Sequence, residues 1–186
     1  MNSPWISVCS RPPVWVIALG LTMLLAAACS PPRVLVSQHR LEMGTEALRD
    51  RILSQGLQLL GTPYLRAGKQ AGGFDCSGLI YFVFSEQGVP MGHSAQQQML
   101  AGQRVDVDDA VPGDLIFFGS KGKASHVGLV VDRGPGVLQV LHSSSSRGVI
   151  RENILRSDYW MRRLLRANSF SSYVPREMVA MRSLGD

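Results

Sequence analysis

The segment GGFDCSGLI, Gly72 to Ile80, places a cysteine between an aspartate and a serine, directly after a glycine pair. Asp75 or Cys76 is predicted to begin a helix that runs to Gln87, with Gly88 just past its last turn. Unpaired backbone N–H groups and the helix dipole favour an anion at such a position, so we expect the thiol pKa of Cys76 to be lowered. The thiolate is the nucleophilic form of cysteine, and Cys76 is therefore a candidate nucleophile.

A cysteine nucleophile needs a base, usually a histidine, and a third group that orients the base. His126 begins the apolar segment HVGLVV and His142 ends the segment VLQVLH, so both lie at the ends of predicted strands. If these strands are neighbours that face the helix, Cys76, His126 and His142 can converge as nucleophile, base and orienting residue. The other two histidines, His39 and His93, fall in a predicted tether and a loop.

Each of these residues also has a structural interpretation. A cysteine that opens an apolar helix is often a small core residue, and a histidine at a strand edge is usually a surface or satisfied core group. A Cys/His/His set could also bind zinc, but structural zinc sites want four ligands, usually in close pairs, and no such spacing occurs here. We therefore expect neither a metal ion nor an organic cofactor.

The first 28 residues are typical of an export signal. Arg11 is their only charged residue, and the uncharged run from Val14 to Ala28 suits a signal peptide but is short for a membrane span. The sequence LAAAC resembles a bacterial lipobox, which implies cleavage before Cys29, lipid on that cysteine and attachment to a membrane. Ser30 follows, and in enteric bacteria a residue other than aspartate there resembles an outer-membrane address on the periplasmic side. A plain secretory signal or an uncleaved anchor is the alternative.

Cleavage at this point would decide the role of the three cysteines. Cys9 would leave with the signal peptide and Cys29 would carry lipid, so Cys76 would be the single free thiol of an exported protein. It would have no partner for a disulfide. An unpaired thiol in an oxidising compartment is expected to be either buried or used.

The remaining chain reads as one α+β domain. We expect a flexible tether over residues 29–44, a folded domain over 45–168 and a tail over 169–186. A first helix is predicted from Thr45 to Leu60, and Ser94 is predicted to cap a short helix that ends at Ala101. Helices followed by strands favour an antiparallel sheet packed on the early helices. The predicted strands are GDLIFF, HVGLVV, VLQVLH, Val149-Ile150 and RLLRA, with a short helix over Ser157 to Arg163 before the last.

The net charge and the distribution of Lys and Arg limit which classes of binding partner are expected. The formal net charge is +5 without any dense run of Lys and Arg, which argues against nucleic-acid binding. Arginines become frequent towards the C-terminus, and we favour a solvated surface over contact with a polyanion such as lipid head groups or a cell-wall polymer. A monomer is expected.

Four motifs in order, GTPYLRAG, GFDCSGLI, PGDLIFF and SHVGLVV, resemble the NlpC-type family of cell-wall peptidases, which are papain-like cysteine hydrolases of bacterial peptidoglycan. The resemblance covers about Glu46 to Asn168. Within the family the chain looks most like short lipoprotein murein endopeptidases. The resemblance makes Cys76 the nucleophile, His126 the base and His142 the third polar residue.

The resemblance also implies a substrate site. Tyr64 matches a tyrosine that lies beside the nucleophile and helps to hold substrate, and Asp75 and Ser77 match positions near a pocket for the substrate amine. Asp75 could equally be a helix cap, and Tyr64 could pack its loop. The loop RAGKQAGG is slightly longer than the family pattern, which affects the shape of the pocket but not the chemistry.

The implied function is that of a lipid-anchored cysteine endopeptidase that hydrolyses amide bonds in peptidoglycan stem peptides or cross-links. Two alternatives remain at this point. One is a catalytically silent lipoprotein that binds peptidoglycan on the same fold. The other is an acyltransferase that uses the same Cys–His chemistry with another acceptor in place of water.

Overall fold

The computed structural model describes residues 33–178. The chain divides into two compact units, Met1–His39 and Arg40–Asp186, and the candidate site lies wholly in the second. The predicted signal peptide and Cys29 lie outside the described residues and stay predictions. None of the helices in the described part of the chain is both long enough and apolar enough to cross a membrane.

The first helix, α1, runs from Arg33 to Gln58 and is longer than predicted. Its start at Thr45 was therefore predicted wrongly, and residues 33–44, predicted as part of a tether, are helical. Proline cannot continue a helix but is tolerated just before one, and Pro32 is the last proline before residue 63. Leu48 and Ile52, one turn apart, are buried in the core and fix the helix against the rest of the domain.

A six-stranded antiparallel sheet forms the second layer, and this confirms the predicted α+β, papain-like architecture. The strand order is β3-β8-β4-β5-β6-β7, and consecutive strands from β4 to β7 are joined as hairpins. The strands are β3 Arg104–Val105, β4 Leu115–Ser120, β5 Lys123–Gly134, β6 Val137–Ser144, β7 Gly148–Asn153 and β8 Leu164–Asn168. Two short strands that were not predicted, β1 Lys69–Gln70 and β2 Gly73–Phe74, make a separate hairpin before the second helix.

The second helix, α2, spans Cys76–Ser85 and is the central helix of the domain. It is apolar nearly all round because it is enclosed on most sides, as the sequence predicted, with Leu79, Ile80 and Val83 fully buried. Gly88 has a φ of 75° and closes the C-terminal end, where its N–H donates to the carbonyl of Ser85 at 2.8 Å. The third helix, α3, is Ala95–Ala101, and its predicted cap Ser94 accepts from the N–H of Gln97.

Both faces of the sheet are buried. Leu115 and Phe117 of β4 contribute to a core shared with α1 and α2, whereas Ile116 and Phe118, which point the other way, belong to a second apolar cluster. Trp160, at the third residue of a short helix α4, Asp158–Met161, packs against this second cluster. The central strands are therefore continuous apolar runs.

The domain continues past the predicted boundary at residue 168. A 3₁₀ turn, Phe170–Tyr173, follows β8 and places Phe170 and Tyr173 in the core. The buried carboxylate of Asp114 accepts from the N–H of Phe170 at 2.8 Å and fixes this turn to the start of β4. The prediction of a tail from residue 169 is therefore wrong for residues 170–173, because Phe170 and Tyr173 are buried in the core.

The glycine after the Cys-Ser pair, Gly78, is required by a close contact with a neighbouring loop. A Cβ at this position would overlap the backbone carbonyl of Gly68, and backbone cannot move aside as a side chain can. We expect Gly78→Ala to lower the free energy of unfolding by about 1–3 kcal/mol, measured by urea denaturation. Gly72→Ala is the matched control, because a Cβ there meets nothing within 4 Å. Equal stability of the two variants would contradict the close approach of this loop to α2.

Candidate active site

Cys76 is the first residue of α2, at the N-terminal end that the sequence predicted. Asp75 caps the helix, and its carboxylate accepts from the N–H of Gly78 at 2.6 Å. The thiol lies against the first residues of the β5 segment that carries His126. It donates to the carbonyl oxygen of Ser125 with an Sγ–O distance of 3.9 Å, and the N–H of Val127 also points at the sulfur. The candidate nucleophile therefore contacts the backbone on both sides of the candidate base, although the two residues are 50 positions apart in sequence.

The two predicted histidines are in direct contact. His126 of β5 and His142 of β6 are joined by a hydrogen bond of 3.0 Å between Nε2 of His126 and Nδ1 of His142. Their ring planes are nearly perpendicular, at 81°. The structure therefore brings together the candidate nucleophile, base and orienting residue in the predicted order.

Glu152 of β7 extends this arrangement by one residue that sequence analysis missed. Its Oε1 accepts from Nε2 of His142 at 2.8 Å and from the indole Nε1 of Trp160 at 2.8 Å. Its Oε2 accepts from Nη2 of Arg147 at 2.9 Å. In the β6–β7 pair His142 lies opposite Ile150, so Glu152 is its diagonal neighbour on the same face. Finding it required the strand register, and the predicted strand Val149-Ile150 ended two residues before Glu152, whereas β7 continues to Asn153.

The carboxylate fixes the tautomers of both rings. A carboxylate can only accept, so Nε2 of His142 must donate to Glu152. Because burial lowers the pKa of His142, this ring is neutral and its Nδ1 is an acceptor. Nε2 of His126 therefore donates to it, which leaves the lone pair of His126 on Nδ1. No other residue in the described part of the chain hydrogen-bonds to this nitrogen, so it is available to take a proton.

Burial controls the resting charges of the site. The His126 ring stacks on Trp160 at 4.7 Å and contacts Phe118, and this apolar surrounding lowers its pKa to about 3, with a further lowering from His142. Burial and the Asp75 carboxylate raise the pKa of the Cys76 thiol, outweighing the N–H groups that point at it. The predicted lowering of the thiol pKa is therefore wrong for the unliganded site, because desolvation exceeds the effect of the helix end.

Glu152 is the charged member of the group. Burial acts to raise its pKa, but the hydrogen bonds from Arg147, Trp160 and His142 together hold the pKa below the ordinary range of a glutamate. The residue is therefore ionised at neutral pH. It faces a neutral histidine pair on one side and an exposed arginine on the other.

The other predicted site residues take separate positions. Tyr64 pairs with Phe74 through an isolated β-bridge just before Cys76 and lines the same cavity as the thiol. Asp75 and Ser77 do not line that cavity: the Ser77 hydroxyl is buried and donates to the Asp75 carboxylate at 3.0 Å. His93 lies in a loop against Lys69 and Tyr81, away from the histidine pair.

The cavity that exposes the thiol has a volume of about 570 Å³. One part of its wall is formed by Cys76, His126 and Tyr64, and another by the serine-rich β6–β7 turn over residues 143–146. Within residues 33–178, no group of three or more His, Cys, Asp or Glu residues is placed to hold a metal ion. The arrangement is suited to acyl transfer through a thioester, with a solvated space for a peptide beside the nucleophile.

Comparison with known proteins identifies the family. The sequence profile of the NlpC/P60 family matches residues 61–169, which is more than half of the chain. The chain belongs to the NlpC/P60 family. The matched region includes Cys76 and the hydrogen-bonded group of His126, His142 and Glu152, so all four residues lie inside the NlpC/P60 domain.

Two curated relatives show how the domain is used in chains of different length. The probable endopeptidase NlpC of Escherichia coli is 32% identical over 155 residues, covering 79% of this chain and 94% of that protein. The gamma-D-glutamyl-L-lysine dipeptidyl-peptidase of Bacillus subtilis is 42% identical over 95 residues, covering 50% of this chain but only 31% of its own length. The matched part of this chain therefore spans about a third of the B. subtilis protein and nearly all of the E. coli protein.

Solved NlpC/P60 structures include both a hydrolase and a protein without catalysis. The NlpC/P60 domain of the peptidoglycan hydrolase SagA has a TM-score of 0.55 and 31% identity, covering 65% of this chain and 97% of that domain. RipD of Mycobacterium tuberculosis, described as non-catalytic and adapted to peptidoglycan binding, has a TM-score of 0.53 and 26% identity, covering 66% and 96%. NlpC/P60 membership alone therefore does not establish catalysis.

Glu152 offers a test of the hydrogen-bonded group. Its carboxylate raises the pKa of His126 and His142, so in Glu152→Gln both pKa values should fall further. Protonating His126 during the reaction then becomes harder, and we expect kcat/KM on a cell-wall substrate to drop about 10- to 100-fold, part of what a general base supplies. The acid limb of the pH–rate profile should move to lower pH, because a base with a lower pKa stays unprotonated there. Glu86→Gln, an exposed carboxylate away from the cavity, is the control, and an unmoved acid limb in Glu152→Gln would assign Glu152 a purely structural role.

Proposed function

We propose that the protein is a cysteine endopeptidase that hydrolyses amide bonds of peptidoglycan stem peptides or cross-links. The observation that carries the proposal is the hydrogen-bonded group of His126, His142 and Glu152, whose His126 lines the same cavity as the Cys76 thiol. A merely structural cysteine has no need of a neighbouring histidine whose tautomer is fixed by a second histidine and a carboxylate. The family supplies the substrate class.

Activation begins from a neutral pair. The Cys76 thiol and the His126 imidazole are both uncharged at rest, so His126 acts as a general base that removes the thiol proton through Nδ1 as sulfur attacks the substrate carbonyl. The imidazolium that forms keeps donating from Nε2 to His142. His142 in turn donates to Glu152, so the new positive charge is stabilised by a carboxylate two hydrogen bonds away.

The start of α2 stabilises the negative charge that develops on the substrate. Cys76 and Ser77 occupy the first turn, where backbone N–H groups have no partner inside the helix. The Asp75 carboxylate takes the N–H of Gly78, whereas the N–H groups of Cys76 and Ser77 point at the Cys76 sulfur, where the substrate carbonyl would be attacked. They can donate to the oxygen of the tetrahedral intermediate, and the hydroxyl of Tyr64 lies in the same cavity as a further donor.

Collapse of the intermediate expels the amine of the leaving peptide, which takes the proton from His126. A thioester between Cys76 and the acyl part of the substrate remains. Water then attacks the thioester with His126 as base, and the acid product and the free thiol are released. The net reaction is hydrolysis of one amide bond, and all its proton transfers pass through Nδ1 of His126.

The rival functions differ in one step each. A silent binding protein of the RipD type would bind peptidoglycan without turnover, but the complete hydrogen-bonded group favours a catalyst over it. An acyltransferase would pass the acyl group to an amine or another acceptor in place of water. The cavity is broad and lined by serines, which favours access of water to the thioester.

Digestion of purified peptidoglycan sacculi, with products separated and weighed by mass spectrometry, tests the proposal. Wild type should release fragments that have each gained one water. Cys76→Ala should give none, His126→Ala nearly none, and His142→Asn measurable turnover above that of His142→Ala, because Asn keeps a polar partner for His126. His93→Ala should be close to wild type. Thiol alkylation should abolish activity and a chelator should not.

Three results would overturn it. Binding of sacculi without any release would make the protein a binding module. Products joined to a new acceptor would make it an acyltransferase. Loss of activity in chelator with recovery on addition of zinc would replace the thiol mechanism.

We propose further that the mature protein is a monomer anchored by lipid on Cys29 to the periplasmic side of the outer membrane. The LAAAC sequence and the serine that follows it support this address. An anchored enzyme would meet the cell wall as an immobile polymeric substrate, within the reach of its tether.

Substitution of Cys29 by Ser tests the anchor. Lipidation requires the thiol, so Cys29→Ser should leave the protein in the aqueous phase after detergent partitioning, whereas wild type should follow the membranes. Labelling with a radioactive fatty acid should mark wild type alone. Cys9→Ser serves as the control, because this cysteine would be lost with the signal peptide. Equal partitioning of wild type and Cys29→Ser would contradict the lipoprotein assignment.

A further inference from the structure

Arg163 lines the same cavity as Cys76 but has no part in the catalytic group. Its side chain is exposed and follows α4 directly, one position after Arg162. Among the described residues it makes no ion pair with any carboxylate, in contrast to Arg147, whose charge is taken by Glu152. Arg163 therefore presents a positive charge to the cavity that no acidic group of the described chain neutralises.

The guanidinium is held in place without using up its hydrogen-bonding capacity. Its central carbon lies 3.8 Å from the centre of the Tyr159 ring, in a cation–π contact. Nη1 donates to the Tyr159 carbonyl at 3.2 Å, and Tyr159 also lines the cavity. Stacking limits the rotamers of a long side chain, so less entropy is lost when it binds a ligand. Within residues 33–178, Nε and Nη2 donate no hydrogen bond, so they can bind a ligand.

The charges around the cavity make it attractive to an anion. The charged side chains that line it are Arg147, Arg163 and Glu152, and Glu152 is already bound by Arg147, Trp160 and His142. His126 is neutral at rest. One positive charge remains uncompensated, and hydroxyl groups of Ser145, Ser146 and Ser157 surround the same space as further donors.

We propose that Arg163, stacked on Tyr159, is a subsite that binds a free carboxylate of the peptide substrate near the bond that is cut. The proposal rests on the proposed function and names the recognition that this function requires. A planar guanidinium fits a carboxylate through two parallel N–H···O bonds, a match that an amide cannot reproduce with the same charge. Substrates with a free carboxylate are therefore selected over their amidated forms.

Cell-wall peptides offer carboxylates of this kind by their chemistry. An amide bond made through a side-chain carboxyl leaves the main-chain carboxylate of the same residue free, and a peptide that is not cross-linked carries another at its C-terminus. Either group could reach Arg163, and amidation of one carboxylate at a time separates the two. The subsite would make the enzyme sensitive to amidation of its substrate.

The test uses three synthetic forms of L-Ala-γ-D-Glu-L-Lys: both carboxylates free, the glutamyl α-carboxylate amidated, and the C-terminal carboxylate amidated. Binding is measured by calorimetry to the full mature chain carrying Cys76→Ala, so that no peptide is consumed. We expect one amidation to weaken binding about tenfold, equal to about 1.4 kcal/mol, and Arg163→Gln to remove that difference. Arg162→Gln is the matched control, since it removes the same charge one residue away and outside the cavity lining.

Turnover of sacculi by the chain with Cys76 intact is measured in parallel, so that the two proposals can fail separately. Discrimination that Arg163→Gln abolishes supports the subsite even if no product is released, in which case only the endopeptidase assignment fails. Release of products with no difference among the three peptides overturns the subsite and leaves the function in place. An equal loss of discrimination in Arg162→Gln and Arg163→Gln also overturns it, because the effect would then be one of general charge.

Discussion

The single carboxylate of Glu152 is the charge on which the buried histidine pair depends. Burial between Trp160 and Phe118 lowers the pKa of His126 from 6.5 to about 3, which corresponds to a cost on the order of 5 kcal/mol for forming its imidazolium. In the proposed mechanism, that ion forms whenever His126 deprotonates the thiol. Glu152 opposes this cost through His142, and it also dictates which nitrogen of each ring carries the proton. Without a fixed acceptor at the end of the group, the lone pair of His126 would have no preferred nitrogen.

The sheet supplies this carboxylate through its register. β5, β6 and β7 are consecutive antiparallel strands, and each contributes one residue: His126, His142 and Glu152. Diagonal neighbours on one face of such strands lie within reach of long side chains. A slip of one residue between β6 and β7 would turn Glu152 to the opposite face and leave the Nε2–H of His142 without an acceptor. The hairpin connections and the buried clusters on both faces hold the register, so packing far from the cavity maintains the chemistry.

Features that depend on the local sequence pattern could be predicted from the sequence. The position of Cys76 at a helix start follows from apolar periodicity and turn residues, and the structure places it there. His126 and His142 lie on the two predicted strands but not at their ends, because β5 already begins at Lys123 and β6 continues to Ser144. Glu152 and Trp160 could not be foreseen, because their roles depend on which strand pairs with which and in what register. Local pattern also mispredicted two boundaries. The start of α1 was placed too late, although no proline lies between Pro32 and Gln58. The domain was ended too early, because the turn at Phe170 is fixed by its hydrogen bond to Asp114, which is distant in sequence.

The pKa of Cys76 also depends on the fold in a way that the local sequence does not show, and this has a functional consequence. A helix end is visible in sequence and favours the thiolate, whereas desolvation by the surrounding layers is visible only in the fold and is the larger effect. The resting site therefore holds a thiol and a neutral imidazole. Oxidation of cysteine proceeds through the thiolate, so a protonated Cys76 is the less vulnerable form for a lone thiol in the oxidising compartment proposed here. In the proposed mechanism, the burial that makes His126 a weak base thus also protects the Cys76 thiol until a substrate carbonyl, held against the start of α2, makes deprotonation productive.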